Sequence, residues 1–165
     1  MDIITHYTLT FVLYSFIGYL CEVAYCSIGQ GHLVNRGFLY GPWLPIYGFG
    51  GLIVDIFLVP IAHYPIIVFI TAIILTSIVE YIGSWGLEKI FSIKLWDYSA
   101  HRFNINGRVC LLNSSLFGLM SMVLVYGAYP WIQKLFAIIP NMLAERLADL
   151  LRILFAVDLT LSVLK

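Results

Sequence analysis

Charged residues are scarce in this chain. Only 11% of its 165 residues are Asp, Glu, Lys or Arg, while 61% are hydrophobic. Soluble domains average about 25% charged residues, and this chain has too little polar surface to cover a water-soluble globule. The composition therefore excludes a soluble domain and indicates an integral membrane protein. The nine basic and nine acidic residues balance, so nothing indicates nucleic acid as a partner.

Cysteine is also scarce, and nucleotide-binding motifs are missing. The three cysteines lack the close spacing and histidine partners of a metal site, so we expect neither a metal nor another cofactor. No GxxxxGK[ST] motif occurs, so an ATP-driven role would require a separate ATPase subunit. The first ten residues have no basic leading region and no small-x-small cleavage site. We expect the first apolar segment to be an uncleaved anchor.

Long apolar segments are what the chain has instead. A bilayer core requires about 20 apolar residues in a helix. Five segments meet or approach this length: residues 3–28, 43–62, 65–87, 109–135 and 147–164. Charges interrupt the last one, which could instead lie on the membrane surface as an amphipathic helix. The sequence predicts an all-α integral membrane protein, a single polytopic domain over residues 1–165 that forms a compact bundle of about five transmembrane helices.

Two glutamates lie inside predicted spans, and each is followed by a loop that carries an arginine. Glu22 precedes Arg36, and Glu80 precedes Arg108. An ionised carboxylate at this depth costs at least a few kcal/mol unless it finds a partner. The simplest pairs are therefore Glu22 with Arg36 and Glu80 with Arg108.

Small residues accompany both glutamates at helical spacing, for example Ser15 and Gly18 before Glu22. Such residues let helices approach closely in lipid, so these faces should point into the bundle. Because the pattern of glutamate, polar loop and arginine occurs over residues 15–51 and again over 73–118, we predict a tandem two-helix pseudo-repeat. A further small-residue stripe, consisting of Ser114, Gly118 and Ser121, is predicted to mediate self-association or the binding of a partner.

The stretch "GFLYGPWLPIYGFGGL" is too rich in glycine and proline to be one regular helix. Pro42 and Pro45 suit a first helical turn, where a missing N–H costs nothing. The residues before them are predicted to be a re-entrant or broken segment, as found where transporters bind substrate. A purely structural kink is the alternative.

Basic residues flank the two long polar loops. Five of the nine lie there: Arg36, Lys89, Lys94, Arg102 and Arg108. The positive-inside rule places these loops in the cytoplasm and the N-terminus outside. In the second loop, Trp96 and Tyr98 suit the headgroup level, while Asn104, Asn106 and Arg108 are expected to turn inward.

The motifs "NRGFLYGPWLPIYGFGG", "LWDYS" and "FNINGRVCL", with a glutamate in the third span, occur in this order over roughly residues 10–125. In this the chain resembles the ABC-transporter type IV family, also called CmpB-like permeases. The resemblance implies a small multi-span protein of the bacterial inner membrane, a permease component. It also implies a set of signature positions: Glu22, Arg36, Gly37, Pro42, Pro45, Gly48, Glu80, Trp96, Asp97, Tyr98, Asn104, Gly107 and Arg108.

Three classes of function follow. The leading hypothesis is a permease-like subunit that binds or moves a small polar solute or ion, assembled as a homo-oligomer because five spans make a small pathway. Its site near the cytoplasmic face would comprise Glu22, Arg36, Glu80, Asp97, Asn104, Asn106 and Arg108.

The second class is a membrane-embedded enzyme acting on a lipid headgroup, with Glu or His as base and Arg on the phosphate. No catalytic motif stands out, so no catalytic residues are predicted. The third class is a structural or regulatory membrane protein without turnover, in which Glu–Arg pairs only hold the loops on the bundle.

Overall fold

The computed structural model describes residues 1–32 and 37–164. Within these residues six α-helices follow one another: α1 Ile3–Gln30, α2 Pro45–Leu58, α3 Pro65–Phe91, α4 Leu111–Val123, α5 Tyr129–Ile138 and α6 Asn141–Val163. A 3-10 turn, Val59–Ile61, extends α2, and a π-helix, Leu124–Ala128, joins α4 to α5. The strands in the described residues are β1 Asn104–Ile105 and β2 Val109–Cys110, an antiparallel hairpin. The predicted all-α fold class is confirmed.

In the part of the chain that the structure describes, three helices are long and apolar enough to cross a membrane: Ile3–Gln30, Pro65–Phe91 and the continuous helix Leu111–Ile138. The segment Pro45–Ile61 is a shorter apolar helix, and α6 has 23 residues. Helices thus occupy all five segments predicted from hydropathy. Length and composition make three of them candidate spans.

The structure divides into two compact units, Met1–Leu52 with Lys134–Lys165 and Ile53–Gln133. In the first unit, α6 runs parallel to α1. The Met1 amino group donates to the side-chain oxygen of Asn141 at 2.7 Å, and Arg152 Nε donates to Thr8 Oγ1 at 3.0 Å. Further along, the ring of Phe155 packs edge-on against Phe11, with 5.5 Å between the ring centroids.

Glycines let α1 and the first turns of α2 come into close contact within the first unit. A Cβ on Gly18 would overlap the ring of Tyr47, and one on Gly48 would overlap the hydroxyl of Ser15. A Cβ on Gly51 would likewise strike an aromatic ring of α1. The small-residue face predicted around Ser15 and Gly18 therefore packs inside the protein, as expected for close helix contacts in lipid.

In the second unit, α3 packs against α4. Ser77 donates to Ser114 across the two helices at 2.7 Å, and a Cβ on Gly118 would lie 2.8 Å from Ile73 Cγ1. A buried apolar core lies alongside, made of Val54, Leu58, Val68, Ala72 and Val125.

The role predicted for the stripe Ser114, Gly118 and Ser121 is wrong. All three residues are buried within the chain. The stripe cannot serve self-association because α3 already covers it, with Ser77 and Ile73 as direct neighbours. Small residues here allow contact between two helices of the same chain.

Candidate functional site

The first loop comprises the described residues 37–44, which are irregular and precede α2. Pro45 is the first residue of α2, as predicted. The prediction for Pro42 is wrong, because this residue lies in the bend before the helix; Trp43 N donates to Gly41 O at 2.9 Å across it. Gly37 is the exposed first described residue of the loop. The glycines and prolines predicted that this stretch is not one regular helix, and residues 37–44 are indeed irregular.

A carboxylate on α6 holds the first loop. Asp158, 9% exposed, accepts hydrogen bonds from Tyr40 N at 2.9 Å, Gly41 N at 2.8 Å and Trp43 Nε1 at 2.6 Å. Ser162 Oγ donates to it at 3.3 Å. Buried carboxylates require such donors, and hydrogen bonds to a charged acceptor are the strong ones.

Sequence reasoning missed Asp158, which it treated only as a charge that interrupts the fifth segment. A signal was present. An acidic residue inside an apolar helix requires a partner, and a serine follows it at the i+4 position on the same helix face. What the sequence could not reveal is that two main-chain N–H groups and an indole from a distant loop are the other partners.

Glu22, on α1, accepts a hydrogen bond from the hydroxyl of Tyr47 at 2.8 Å. The thiol of Cys26, one turn later, lies 3.5 Å from its other carboxylate oxygen. Arg36 and its predicted pairing with Glu22 lie outside the described residues. Tyr47 was not singled out from the sequence, although it lies on the same turn as the signature residue Gly48.

The second loop, residues 92–110, is organised by a β-hairpin and is called the hairpin loop below. Asn106 and Gly107 have φ of 53° and 67°, and Arg108 N donates to Ile105 O at 3.0 Å. Positive φ at both central residues is typical of the type I′ turn, which Asn-Gly favours. Asn104 Oδ1 accepts from Gly107 N at 3.0 Å. The hairpin was not predicted, although "NING" carries its signal.

Tyr98 connects the hairpin loop to the buried Glu80 of α3. Its hydroxyl donates to Glu80 Oε1 at 2.9 Å and accepts from the amide of Asn113. Glu80 is only 5% exposed. Burial raises the pKa of Tyr98 well above its usual range, and the nearby Glu80 carboxylate adds to this, so the hydroxyl stays protonated as a donor.

Arg108 makes a contact that differs from the predicted pair. Its guanidinium donates to the carboxylate of Glu88 and to Ser84 Oγ at 3.4 Å, while Glu80 receives the hydroxyl of Tyr98. The indole of Trp96 donates to the Arg108 carbonyl at 2.9 Å. Trp96 thus fixes the strand end from which the guanidinium extends.

The spacing of the α3 acceptors explains this difference. Glu80, Ser84 and Glu88 are four residues apart and so share one face of the helix. The hairpin loop contacts this face at two levels. Tyr98 contacts Glu80, and Arg108 contacts Glu88, which lies about 12 Å further along the axis of α3 at a rise of about 1.5 Å per residue. Glu88 and Ser84 were missed, although their spacing of i, i+4, i+8 was visible in the sequence.

The other predicted site residues stabilise the loop. Asp97 is exposed and bonds Lys94 Nζ at 2.7 Å, Ser99 Oγ at 2.6 Å and Ser99 N at 2.9 Å. The Lys94 ammonium, together with Ser99, lowers the pKa of Asp97 well below its ordinary value. Asn106 donates to the hydroxyl of Tyr81 on α3 at 2.9 Å.

Among the described residues, no group of three or more His, Cys, Asp or Glu could hold a metal ion.

Comparison with curated proteins and with solved structures found no match. The model of one protein family, described as "Putative ABC-transporter type IV", matches residues 9–163, nearly the whole chain. The match extends well past the stretch that carries the motif resemblance and includes α6 with Asp158. This chain therefore belongs to the family described as "Putative ABC-transporter type IV".

Proposed function

We propose that this chain is a permease-like membrane subunit that binds or moves a small polar solute or ion. Family membership and the three long apolar helices support a membrane transport role. The observation that carries the proposal is the carboxylate of Glu80, which is 5% exposed within the 27-residue apolar helix α3. Ionisable residues at such positions usually mark solute or ion paths.

The proposed site is the polar face of α3 with the groups that the hairpin loop adds to it. Glu80 and Arg108 come from the sequence prediction, while Tyr98, Ser84 and Glu88 are added from the contacts described above. Two carboxylates, one guanidinium and two hydroxyls provide donors and acceptors for a small polar solute. Arg108 and Glu88 lie at the more exposed end, with 16% and 46% of their side chains accessible.

Transport can be tested with the purified chain in proteoliposomes on a solid-supported membrane. Concentration jumps of sodium chloride, potassium chloride, sodium phosphate and sodium glutamate, and a pH jump, would each be applied. We expect at least one of them to displace charge. Glu80→Gln should reduce this signal by at least about tenfold. We expect the lost contact between the carboxylate and an ion to weaken the free energy of ion binding by more than about 1.4 kcal/mol.

Glu145→Gln is the matched control, because it makes the same chemical change at an exposed position of α6. It should leave the signal unchanged. A signal of equal size in the wild type and in Glu80→Gln would contradict the proposed site. If none of the jumps displaces charge in the wild type, the transport of these solutes by the chain alone is refuted.

A structural or regulatory protein without turnover is the second candidate. It is favoured by the hydrogen bonds that Tyr47 donates to Glu22 and that the first loop donates to Asp158, because these contacts hold one segment of the chain against another. The single variant Tyr98→Phe leaves the Glu80 carboxylate without this donor and should destabilise the fold. Adding Glu80→Gln removes the charge that requires the donor, so comparison of the double variant with Tyr98→Phe separates the two candidates. A purely structural contact predicts that folding and cellular function recover together. A transport site predicts that folding recovers while function stays lost.

We further propose that α6 crosses the bilayer, in a bacterial inner membrane with both loops in the cytoplasm and the N-terminus outside. Its contacts with α1 at Asn141, Arg152 and Phe155 support this, because α1 is a candidate span. At about 1.5 Å per residue, its 23 residues also exceed the hydrocarbon thickness of about 30 Å. Labelling of Ser99→Cys by an impermeant thiol reagent should fail in intact cells and succeed in inverted vesicles.

A homo-oligomer and a separate ATPase subunit complete the proposal. The chain contains no GxxxxGK[ST] motif, so ATP-driven movement would require another chain to bind the nucleotide. Mass photometry of the chain in nanodiscs would give the number of copies. Mild purification from its own membranes, followed by an ATPase assay, should recover nucleotide hydrolysis if such a subunit binds. A monomer without ATPase activity would refute both proposals.

A further inference from the structure

The hairpin loop exposes two large apolar side chains. Phe103 is 79% exposed and Ile105 is 60% exposed. Phe103 immediately precedes β1, and Ile105 is the second residue of that strand. Phe103 also has a φ of 54°, which is rare for a bulky residue and is strained. Packing within the described chain does not account for an exposed aromatic ring in this conformation.

Two exposed cations lie beside exposed apolar residues: Arg102 precedes Phe103, and Lys89 precedes Ile90 at the end of α3. Lys94 pairs with Asp97, and Arg108 pairs with Glu88. Within the described part of the chain, no ion pair is formed by Arg102, next to Phe103, or by Lys89 in the last turn of α3. Both are exposed, so this end of the unit presents positive charge beside apolar surface.

The flanking helices fix where this surface lies. The hairpin loop follows α3 and leads directly into the helix Leu111–Ile138, and both are candidate membrane spans. Its two ends are therefore at the membrane boundary. Ile90 at one end is 73% exposed, and Leu112 at the other is 58% exposed. Apolar side chains with basic neighbours at this depth are typical of segments that bind anionic lipid surfaces.

We propose that the hairpin loop is a binding surface for anionic phospholipids. Phe103 and Ile105 enter the boundary between headgroups and acyl chains, and Lys89 and Arg102 contact the phosphate groups. A left-handed conformation at Phe103 would be maintained because it aims the ring outward, where the lipid compensates its strain. The proposal does not depend on transport, since neither Phe103 nor the two cations belong to the proposed solute site.

The test uses the full chain with p-benzoylphenylalanine in place of Phe103, which keeps an aromatic side chain there. The protein is placed in nanodiscs of equimolar phosphatidylglycerol and phosphatidylcholine, irradiated and analysed by mass spectrometry. We expect phospholipid adducts in which phosphatidylglycerol exceeds phosphatidylcholine. Adding Lys89→Ala or Arg102→Ala should lower this excess by up to about fivefold each, since a basic side chain near an anionic surface contributes about 1 kcal/mol.

The same probe at Ala100 is the control, because that residue is also exposed and lies in the same loop. It should give few lipid adducts. Equal yields from the two positions would overturn the assignment to Phe103, and equal amounts of the two lipids would overturn the preference for anionic headgroups. Irradiation in native membranes adds a last outcome: adducts to a protein in place of lipid would show that this surface binds a partner chain.

Discussion

The first loop and the hairpin loop both bring hydrogen-bond donors to a carboxylate on a helix, but the donors differ in kind. Asp158 receives two main-chain N–H groups and one indole from the first loop. Glu80 receives the hydroxyl of Tyr98, and Glu88 the guanidinium of Arg108, so the hairpin loop uses side chains.

This difference determines what each loop can tolerate. Main-chain donors depend on backbone conformation, and a Cβ on Gly41 would lie 2.7 Å from Asp158 Oδ2 and against the Trp43 indole. The first loop should therefore tolerate most changes of its side chains. Its structure should depend strongly on Gly41 and on the acceptor Asp158. The hairpin loop should depend on the identity of Tyr98 and Arg108, because their polar groups are the contacts.

The largest effect is expected for Asp158→Ala. It leaves two main-chain N–H groups and an indole, all in partly buried hydrogen bonds, without their acceptor, at a cost of about 3–5 kcal/mol in the free energy of unfolding. Asp158→Asn keeps one acceptor oxygen and should cost about half as much. SDS-induced unfolding in mixed micelles would measure both. If Asp158→Ala unfolds like the wild type, the first loop is held by something other than this carboxylate.

Gly48→Ala should have the next largest effect, because it tests the helix contact that supports the first loop. The new Cβ would overlap Ser15 Oγ and lie 2.7 Å from Phe11 ring atoms. Overpacking of this kind costs about 1–3 kcal/mol. Gly50→Ala is the matched control, since no atom lies within 4 Å of its Cβ position; it should be neutral or slightly stabilising. Equal loss from both variants would contradict the assignment to the contact with Ser15 and Phe11, since helix propensity alone favours alanine over glycine.

Tyr98→Phe should destabilise the hairpin loop by a similar amount. It removes a donor to the buried Glu80 carboxylate, and a hydrogen bond to a charged group is worth about 1.5–3 kcal/mol. Tyr126→Phe provides a reference, because the hydroxyl of Tyr126 donates to the neutral carbonyl of Ala62 at 2.7 Å. The same unfolding assay would compare them. A smaller loss for Tyr98 than for Tyr126 would contradict the importance of the Glu80 contact.

A double-mutant cycle on Arg108 should give a smaller effect and decides which carboxylate it serves. Arg108→Ala combined with Glu88→Gln should show a coupling of about 1 kcal/mol or less, as expected for a pair that is partly exposed. The cycle of Arg108→Ala with Glu80→Gln should show a smaller coupling. The opposite order would restore the pair first predicted from the sequence.

The smallest effect is a pH dependence of the hairpin loop through Asp97. Hydrogen bonds from Lys94 and Ser99 lower the pKa of Asp97 in the folded protein below its ordinary 3.8. The contribution of Asp97 to the stability of the hairpin loop is therefore fully present above pH 3.8 and is lost as the pH falls through the lowered pKa. Hydrogen exchange of residues 93–110 should therefore quicken only in strong acid. Asp97→Asn should remove this dependence. Unchanged acid sensitivity in the variant would assign it to another carboxylate.

The sequence predicted the helices well because hydropathy and helical length are properties of the segments themselves. It singled out Glu80 for the same reason, since a charge in an apolar segment is conspicuous, and it singled out Arg108 because this arginine lies in the polar loop that follows that segment. It could not pair them correctly, because Glu80 and Glu88 lie on one face of α3 and only the depth of each contact separates them. Asp158 was missed because its donors are main-chain groups more than a hundred residues away, which no side-chain pattern encodes.

The π-helix Leu124–Ala128 has a consequence for how this chain can change in length. Its wider turn contains an extra residue, closed by Tyr129 N donating to Leu124 O. Because the wide turn absorbs this extra residue, deleting one residue there would restore regular α-helix and leave the later side chains on approximately the faces they now occupy. Deleting one residue from the regular turns of α4 or α5 would instead rotate every later side chain by about 100° around the helix axis. We therefore expect loss of a single residue to be better tolerated at residues 124–128 than elsewhere in the helix Leu111–Ile138.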